Sequence, residues 1–141
     1  METCALERVL RPPVDEYAPV ADRAPHGSEE KLLLELLSRG DLAPEQEEAM
    51  MLRLARLYLT EGLDTPKDEP PTRLERAVRL YQAHPTRFEA PTDPDEALLG
   101  LALGLDALGR TEEAQEAWRR LDAEWGDRPC AVLARSVRSP S

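Results

Sequence analysis

At 141 residues and 41% hydrophobic content, the chain has the length of one ordinary domain and enough apolar side chains to exclude wholesale disorder. Its net charge of −10 disfavours nucleic acid and anionic lipid as partners, because binding phosphates takes clustered cations. Aromatic residues are few (Tyr17, Tyr58, Tyr81, Phe88, Trp118 and Trp125) and β-branched runs are absent, so the core has to be leucine and alanine, which suits helices and not strands.

The chain opens with a short helix predicted over residues 4–11, with Leu6, Val9 and Leu10 on one side, stopped by Pro12 and Pro13. Residues 12–27, with Pro12, Pro13, Pro19, Pro25 and Gly27, read as an extended proline-rich segment. Residues 1–27 therefore form an N-terminal region distinct from a helical domain over 28–127, with 128–141 as a tail that can form a short capping turn. Ser28 is placed as the N-cap of the first long helix, with Glu29 and Glu30 where the helix dipole favours carboxylates, and Gly40 at its end. Its five leucines between Leu32 and Leu37 exceed one narrow stripe, which predicts cover on more than one side.

Pro44 opens the next helix in the usual first-turn position, followed by Glu45, Glu47 and Glu48. Met51, Leu54, Ala55 and Tyr58 share a face at i, i+3, i+4, i+7; Leu52 and Leu59 form a second apolar line beside Arg53, Arg56 and Thr60; Gly62 is expected to end the helix. After a loop rich in proline and charge, Thr72 and Glu75 read as a capping box for a helix carrying Leu74, Ala77, Val78 and Tyr81, closed by His84-Pro85. His84 is assigned to the helix C-terminus, where the dipole favours a charged imidazole.

Asp93 as N-cap, Pro94 at the first position and Glu96 three after the cap agree on the next helix start. This helix is apolar round most of its circumference: Leu98, Leu101, Ala102, Leu105 and Leu108 on one side, Leu99 and Leu103 on another, Gly100 and Gly104 on a third, so it belongs in the middle of the domain. After Gly109, Thr111 is placed as the cap of a last long helix with Ala114, Ala117, Trp118, Leu121 and Trp125 in register, stopped by Gly126.

Residues 48–62 and 95–109 overlay without gaps. Met51 falls on Leu98, Leu54 on Leu101, Ala55 on Ala102, Tyr58 on Leu105 and Gly62 on Gly109; in the following helices Ala77 falls on Ala114 and Tyr81 on Trp118. Small residues at helix crossings let backbones approach, and large ones a turn away fill the flanks. The pattern resembles the tetratricopeptide repeat, a helix–turn–helix unit of roughly 34 residues. One unit at 95–128 fits at full length, with Gly126 where the family has proline; a degenerate one at 48–85 carries extra residues, 47 separating Ala55 from Ala102. The resemblance implies an all-α fold, a short array of antiparallel helical hairpins of the α-solenoid kind preceded by the extended segment. It also implies a scaffold or adaptor binding a peptide or helix of a partner protein on the face lined by the first helix of each unit. The matching positions are Leu52, Arg53, Arg56, Leu59 and Thr60, then Glu96, Leu99, Gly100, Leu103 and Asp106. That surface, basic in its first half and apolar in its second, is suited to an apolar segment with an acidic residue. The competing expectation is that residues 4–39 cover Leu99 and Leu103 from within.

Nothing in the sequence has the spacing of a catalytic motif, a phosphate loop, a calcium loop or a zinc site, so no enzyme activity, cofactor or metal is expected. Cys4 and Cys130 are expected as two thiols in a reducing cytosol, the alternative being a bridge between the chain ends in an oxidising compartment. The start lacks the apolar run of an export signal, and the longest apolar run, Ala97 to Leu105, is far short of a membrane span. A cytoplasmic location is expected, with the periplasm or cell envelope as the alternative if an upstream signal has been removed. Two rivals to the adaptor are a structural subunit self-associating through its leucine-rich helices and a cell-envelope lipoprotein.

Overall fold

The computed structural model describes Cys4, Leu6 and Glu7 together with residues 26–66, 68–88 and 93–138. All regular structure among these residues is helical, as composition predicts: α1 (His26–Arg39), α2 (Pro44–Asp64), α3 (Thr72–Arg87), α4 (Pro94–Ala107), α5 (Thr111–Trp125) and α6 (Pro129–Arg138). Each of α2 to α5 packs on the next helix in the chain, with short connections that force the path to reverse. α4 also touches α2 and α6, so the helix with apolar residues all round takes the central position.

Local chemistry accounts for several helix ends. Pro44 and Pro94 stand at first-turn positions, where the missing N–H removes no helical hydrogen bond. The Ala43 N–H donates to the Gln46 side chain at 3.2 Å. Gly40 (φ 73°) and Gly109 (φ 82°) are in the left-handed region that glycine alone enters without cost. Arg110 N–H then closes the α4 end by donating to the Leu105 carbonyl at 2.9 Å.

Several boundaries depart from expectation. α1 begins at His26 and so takes Ser28 inside it. α3 and α5 start with Thr72 and Thr111 as helical residues after Pro71 and Arg110, and neither threonine caps by its side chain. Gly62 lies inside α2, not at its end; a Cβ there would stand 2.6 Å from Leu74 Cγ, so the glycine serves close packing of α3 on α2. α3 passes through Pro85 to Arg87, because a proline this near the end forfeits only one terminal hydrogen bond. Gly126 follows α5 with ordinary helical dihedrals, and the tail forms a full helix, α6, with Cys130, Ala131, Leu133 and Ala134 buried.

The core is leucine and alanine around three large aromatics, Tyr58, Tyr81 and Trp118. Ala55, Ala77, Ala102 and Ala114 are all buried, and Tyr81 and Trp118 sit beside them. On α1 Leu33 is fully buried and Leu36 and Leu37 are partly so, a side at i, i+3, i+4 turned to the rest of the fold. Leu32 and Leu34 are 55% and 47% exposed, so the described residues cover α1 on one side and not on several as expected.

The two cysteines are joined. Cys4 and Cys130 form a disulfide with their Cα atoms 4.8 Å apart, which overturns the expectation of two thiols. The sequence separation of 126 residues hid a proximity that only the folded path creates. Leu6, two residues on, is fully buried in the common core. Of the predicted helix over 4–11, only Cys4, Leu6 and Glu7 are described, with Glu7 N–H donating to the Cys4 carbonyl at 3.0 Å. The proline-rich segment falls outside the described residues except for its last two, which open α1. Among the described residues, no helix is long and apolar enough to cross a membrane.

Candidate functional site

The face singled out by the sequence is lined by α2 and α4, which run side by side in contact. Its residues divide sharply by access. Leu52, Leu59 and Leu99 are buried, the last two completely, and belong to the core cluster that also holds Cys4, Leu6 and Cys130. Gly100 is buried under α3: a Cβ on it would stand 2.3 Å from the Tyr81 ring, and one on Gly104 2.7 Å from Val78 Cγ2. The two glycines therefore let α3 and α4 approach, and they present nothing outward. Of the expected lining, Arg53 and Asp106 are exposed, while Arg56, Thr60 and Leu103 are half-buried.

The charges of that face are also spoken for. Arg53 Nε donates to Glu29 Oε1 of α1 at 2.7 Å. Arg56 Nε lies 3.1 Å from Glu96 Oε2 across the α2–α4 contact. An acidic partner residue would have to displace an acid that the chain already supplies.

Behind this face lies a polar cluster inside an otherwise apolar core. Glu48, His84, Asp95 and Glu96 are all buried. His84 Nε2 and Glu48 Oε2 are 2.7 Å apart, linking the α3 C-terminus to the start of α2. His84 is fully buried, so its role is to satisfy a buried carboxylate and not to answer a helix dipole at the surface. The Phe88 ring sits 5.6 Å from the imidazole and closes that side. Asp95 Oδ2 accepts from the Cys130 N–H at 3.4 Å, and Asp95 Oδ1 pairs with Arg128 at the same distance, which fastens the start of α6 to the start of α4.

Glu96 is the tensest member. Burial pushes its carboxyl up to about 7; Arg56 works against this, while Asp93, Asp95 and Glu48 add to it. The Arg56 guanidinium is near enough for charge attraction, yet Glu96 Oε2 has no hydrogen bond of good geometry, and the buried Tyr81 hydroxyl has none either. The Tyr81 phenol is raised well above its ordinary value by burial first and by the charge of Glu96 second. Glu96 was expected to cap α4; its carboxylate instead faces across to α2, and Asp93 makes no side-chain cap.

The sequence carried a signal for this cluster that residue type concealed. Glu48 precedes Met51, Leu52 and Ala55 at i+3, i+4 and i+7, and His84 follows Ala77 and Tyr81 at i+7 and i+3, so each sits on a buried face. Acids early in a helix have a ready dipole explanation, and that explanation hid their position. Among the described residues, no three His, Cys, Asp or Glu side chains converge to hold a metal ion. No protein-family model, curated protein or solved structure matches this chain.

Proposed function

We propose that this chain is a non-enzymatic, tetratricopeptide-like adaptor that binds a segment of a partner protein. The observation that supports the proposal is matched burial at five pairs of positions aligned between the two hairpins. Met51 and Leu98, Ala55 and Ala102, Tyr58 and Leu105, Ala77 and Ala114, and Tyr81 and Trp118 are buried in matched pairs. Repeated hairpins of this kind stack into arrays whose outer surfaces serve as binding platforms. The part of the first-helix face that a partner can reach is the exposed Arg53, already paired with Glu29, and Asp106, with the half-buried Leu103.

The test follows from that division. Leu99→Glu would place a charge in the core and unfold the protein, so Arg53→Glu with Leu103→Glu is the informative variant. Affinity capture from source cells, repeated with this variant after its helicity has been checked by circular dichroism, should lose the specific partner. A folded variant that retains the partner sinks the proposal.

One observation favours a second reading. Leu32 and Leu34 stand exposed on α1, and burying them against a second copy would make the chain a self-associating structural subunit. Sedimentation over a concentration series separates the two, since a monomer at high micromolar concentration rules out self-association. For location, the Cys4–Cys130 bridge supports an oxidising compartment over the cytoplasm, because structural disulfides persist where thiols are not kept reduced.

A further inference from the structure

The end of the molecule where both hairpins turn holds a cavity of about 590 Å³, bounded by the last turn of α2, by Thr65, Pro66, Glu69 and Pro71 between α2 and α3, and by the α4–α5 turn. Its apolar lining includes Leu63, Pro66, Pro71, Leu74 and Leu108. Leu63 is 41% exposed there, an apolar side chain left at the edge of an apolar hollow. That volume lies in the range of built ligand and peptide subsites.

Among the described residues that line the hollow, the charges are of one sign. Glu69 and Asp106 line it, and neither has an ion-pair partner among the described residues. α2 and α4 both end here, and neither has a basic residue in its last turn, so two negative dipole ends go uncompensated from their own helices. α3 and α5 begin at the same end with their positive dipole ends, but they carry Glu75 and Glu112 with Glu113 in their first turns. Two nearby arginines are already used: Arg73 pairs with Glu61 at 2.6 Å, and Arg110 pairs with Glu113 through two nitrogens. Apolar walls with unpaired acids at the rim complement a chain carrying an apolar side chain next to a cation.

We propose that this turn-end cavity docks a peptide segment of a partner protein in which a leucine-like side chain adjoins lysine or arginine. The apolar side chain fills the hollow against Leu63, Leu74 and Leu108, and the cation reaches Glu69 or Asp106. The surface shares only Asp106 with the first-helix face and does not depend on that face being a binding site.

The test uses three blocked hexapeptides titrated into isotopically labelled full-length protein at near-physiological salt: Ser-Leu-Arg-Leu-Arg-Ser, the same with glutamate for arginine, and the same with serine for leucine. The first should shift the amide signals of Leu63, Thr65 and Asp106 to Gly109 selectively, and both controls should bind at least ~10-fold more weakly. Leu63→Ser and Asp106→Asn, both at exposed positions, should each weaken the first peptide while the spectrum stays folded. Equal binding of the serine–arginine control would reduce the effect to bulk attraction by an acidic protein and overturn the proposal. So would shifts scattered over α5, or unchanged affinity in the Leu63→Ser, Asp106→Asn double variant. None of these outcomes bears on the Arg53/Leu103 test, so the two surfaces stand or fall separately.

Discussion

Replacing Glu96 by glutamine should stabilise the protein, and increasingly so as pH rises. The native carboxyl is held near 7 against an ordinary value of 4.5, chiefly by burial. A group whose folded value is raised binds its proton more tightly in the native state. Stability is then fully present below 4.5 and falls as pH climbs towards 7, where the unfolded chain gives up the proton first. Each pH unit in that window costs at most about 1.4 kcal/mol, so the ceiling is about 3 kcal/mol by pH 8. That is a large share of the roughly 5–15 kcal/mol that holds a typical domain together. Arg56 loses its counter-charge in the variant, but it is only partly buried and can turn its guanidinium to water.

Urea unfolding followed by circular dichroism, for wild type and Glu96→Gln side by side from pH 4.5 to pH 8, measures the effect. Taking the difference between the two proteins cancels the titration of every carboxylate they share. The two curves should nearly coincide at the acid end and separate by about 2–3 kcal/mol at the alkaline end, glutamine being the more stable. A difference independent of pH would mean that Glu96 titrates normally and that Arg56 fully compensates its burial. A glutamine variant less stable at pH 8 would show that the ion pair outweighs its own desolvation, and the argument from burial would fail.

The remaining predictions concern the supports around this cluster. His84→Ala removes the hydrogen bond between His84 and the buried Glu48 and should cost about 1–3 kcal/mol in urea midpoint experiments; an unchanged midpoint would show that this contact contributes nothing to stability. Reducing the Cys4–Cys130 bridge, or replacing both cysteines by serine, releases a loop of 126 residues, which in the chain-entropy account removes up to about 5 kcal/mol. Thermal unfolding with and without reductant checks it, and an unchanged midpoint would show that the bridge restrains nothing. Gly100→Ala gains about 1 kcal/mol of helix propensity yet drives a methyl group to 2.3 Å from the buried Tyr81 ring, where overpacking costs about 1–3 kcal/mol. The single variant should therefore be destabilised. In a Tyr81→Ala background the same substitution should turn neutral or favourable, a reversal that a double-mutant cycle reads directly.

Helix positions were legible because they depend on short-range chemistry: Pro44 and Pro94 at first turns, and Gly40 and Gly109 in left-handed conformations, act within a few residues of themselves. Gly62 shows where such local signals stop. It has the same place in the overlay as Gly109, but Leu74 on the neighbouring helix uses its missing side chain to pack closely, and α2 continues past it. Threonines at the starts of α3 and α5 failed as caps for a related reason: Pro71 and Arg110 occupy the cap positions, and backbone bonds such as Glu75 N–H to the Pro71 carbonyl close the first turn. The disulfide was out of reach altogether, since nothing within 126 residues of spacing announces that two ends will meet.

The candidate site was legible as a face but not as a surface, and the difference has a physical cause. Periodicity says which residues share a side of a helix; it does not say whether another element covers that side. Leu99 and Leu52 were placed on the correct helices, and the rest of the chain then buried them. The same holds for charge. Arg53 and Arg56 looked like a basic half-site because their partners, Glu29 and Glu96, lie 24 and 40 residues away in sequence and arrive from other helices. Once those pairs are drawn, the face has little net charge with which to select an acidic partner. An exposed charge contributes to recognition only if the fold has not already answered it, because displacing an internal partner returns most of what a new one provides. By that criterion the proposed site at the turn end, where Glu69 and Asp106 have no ion-pair partner among the described residues, should discriminate between ligands better than the face that the repeat pattern singled out.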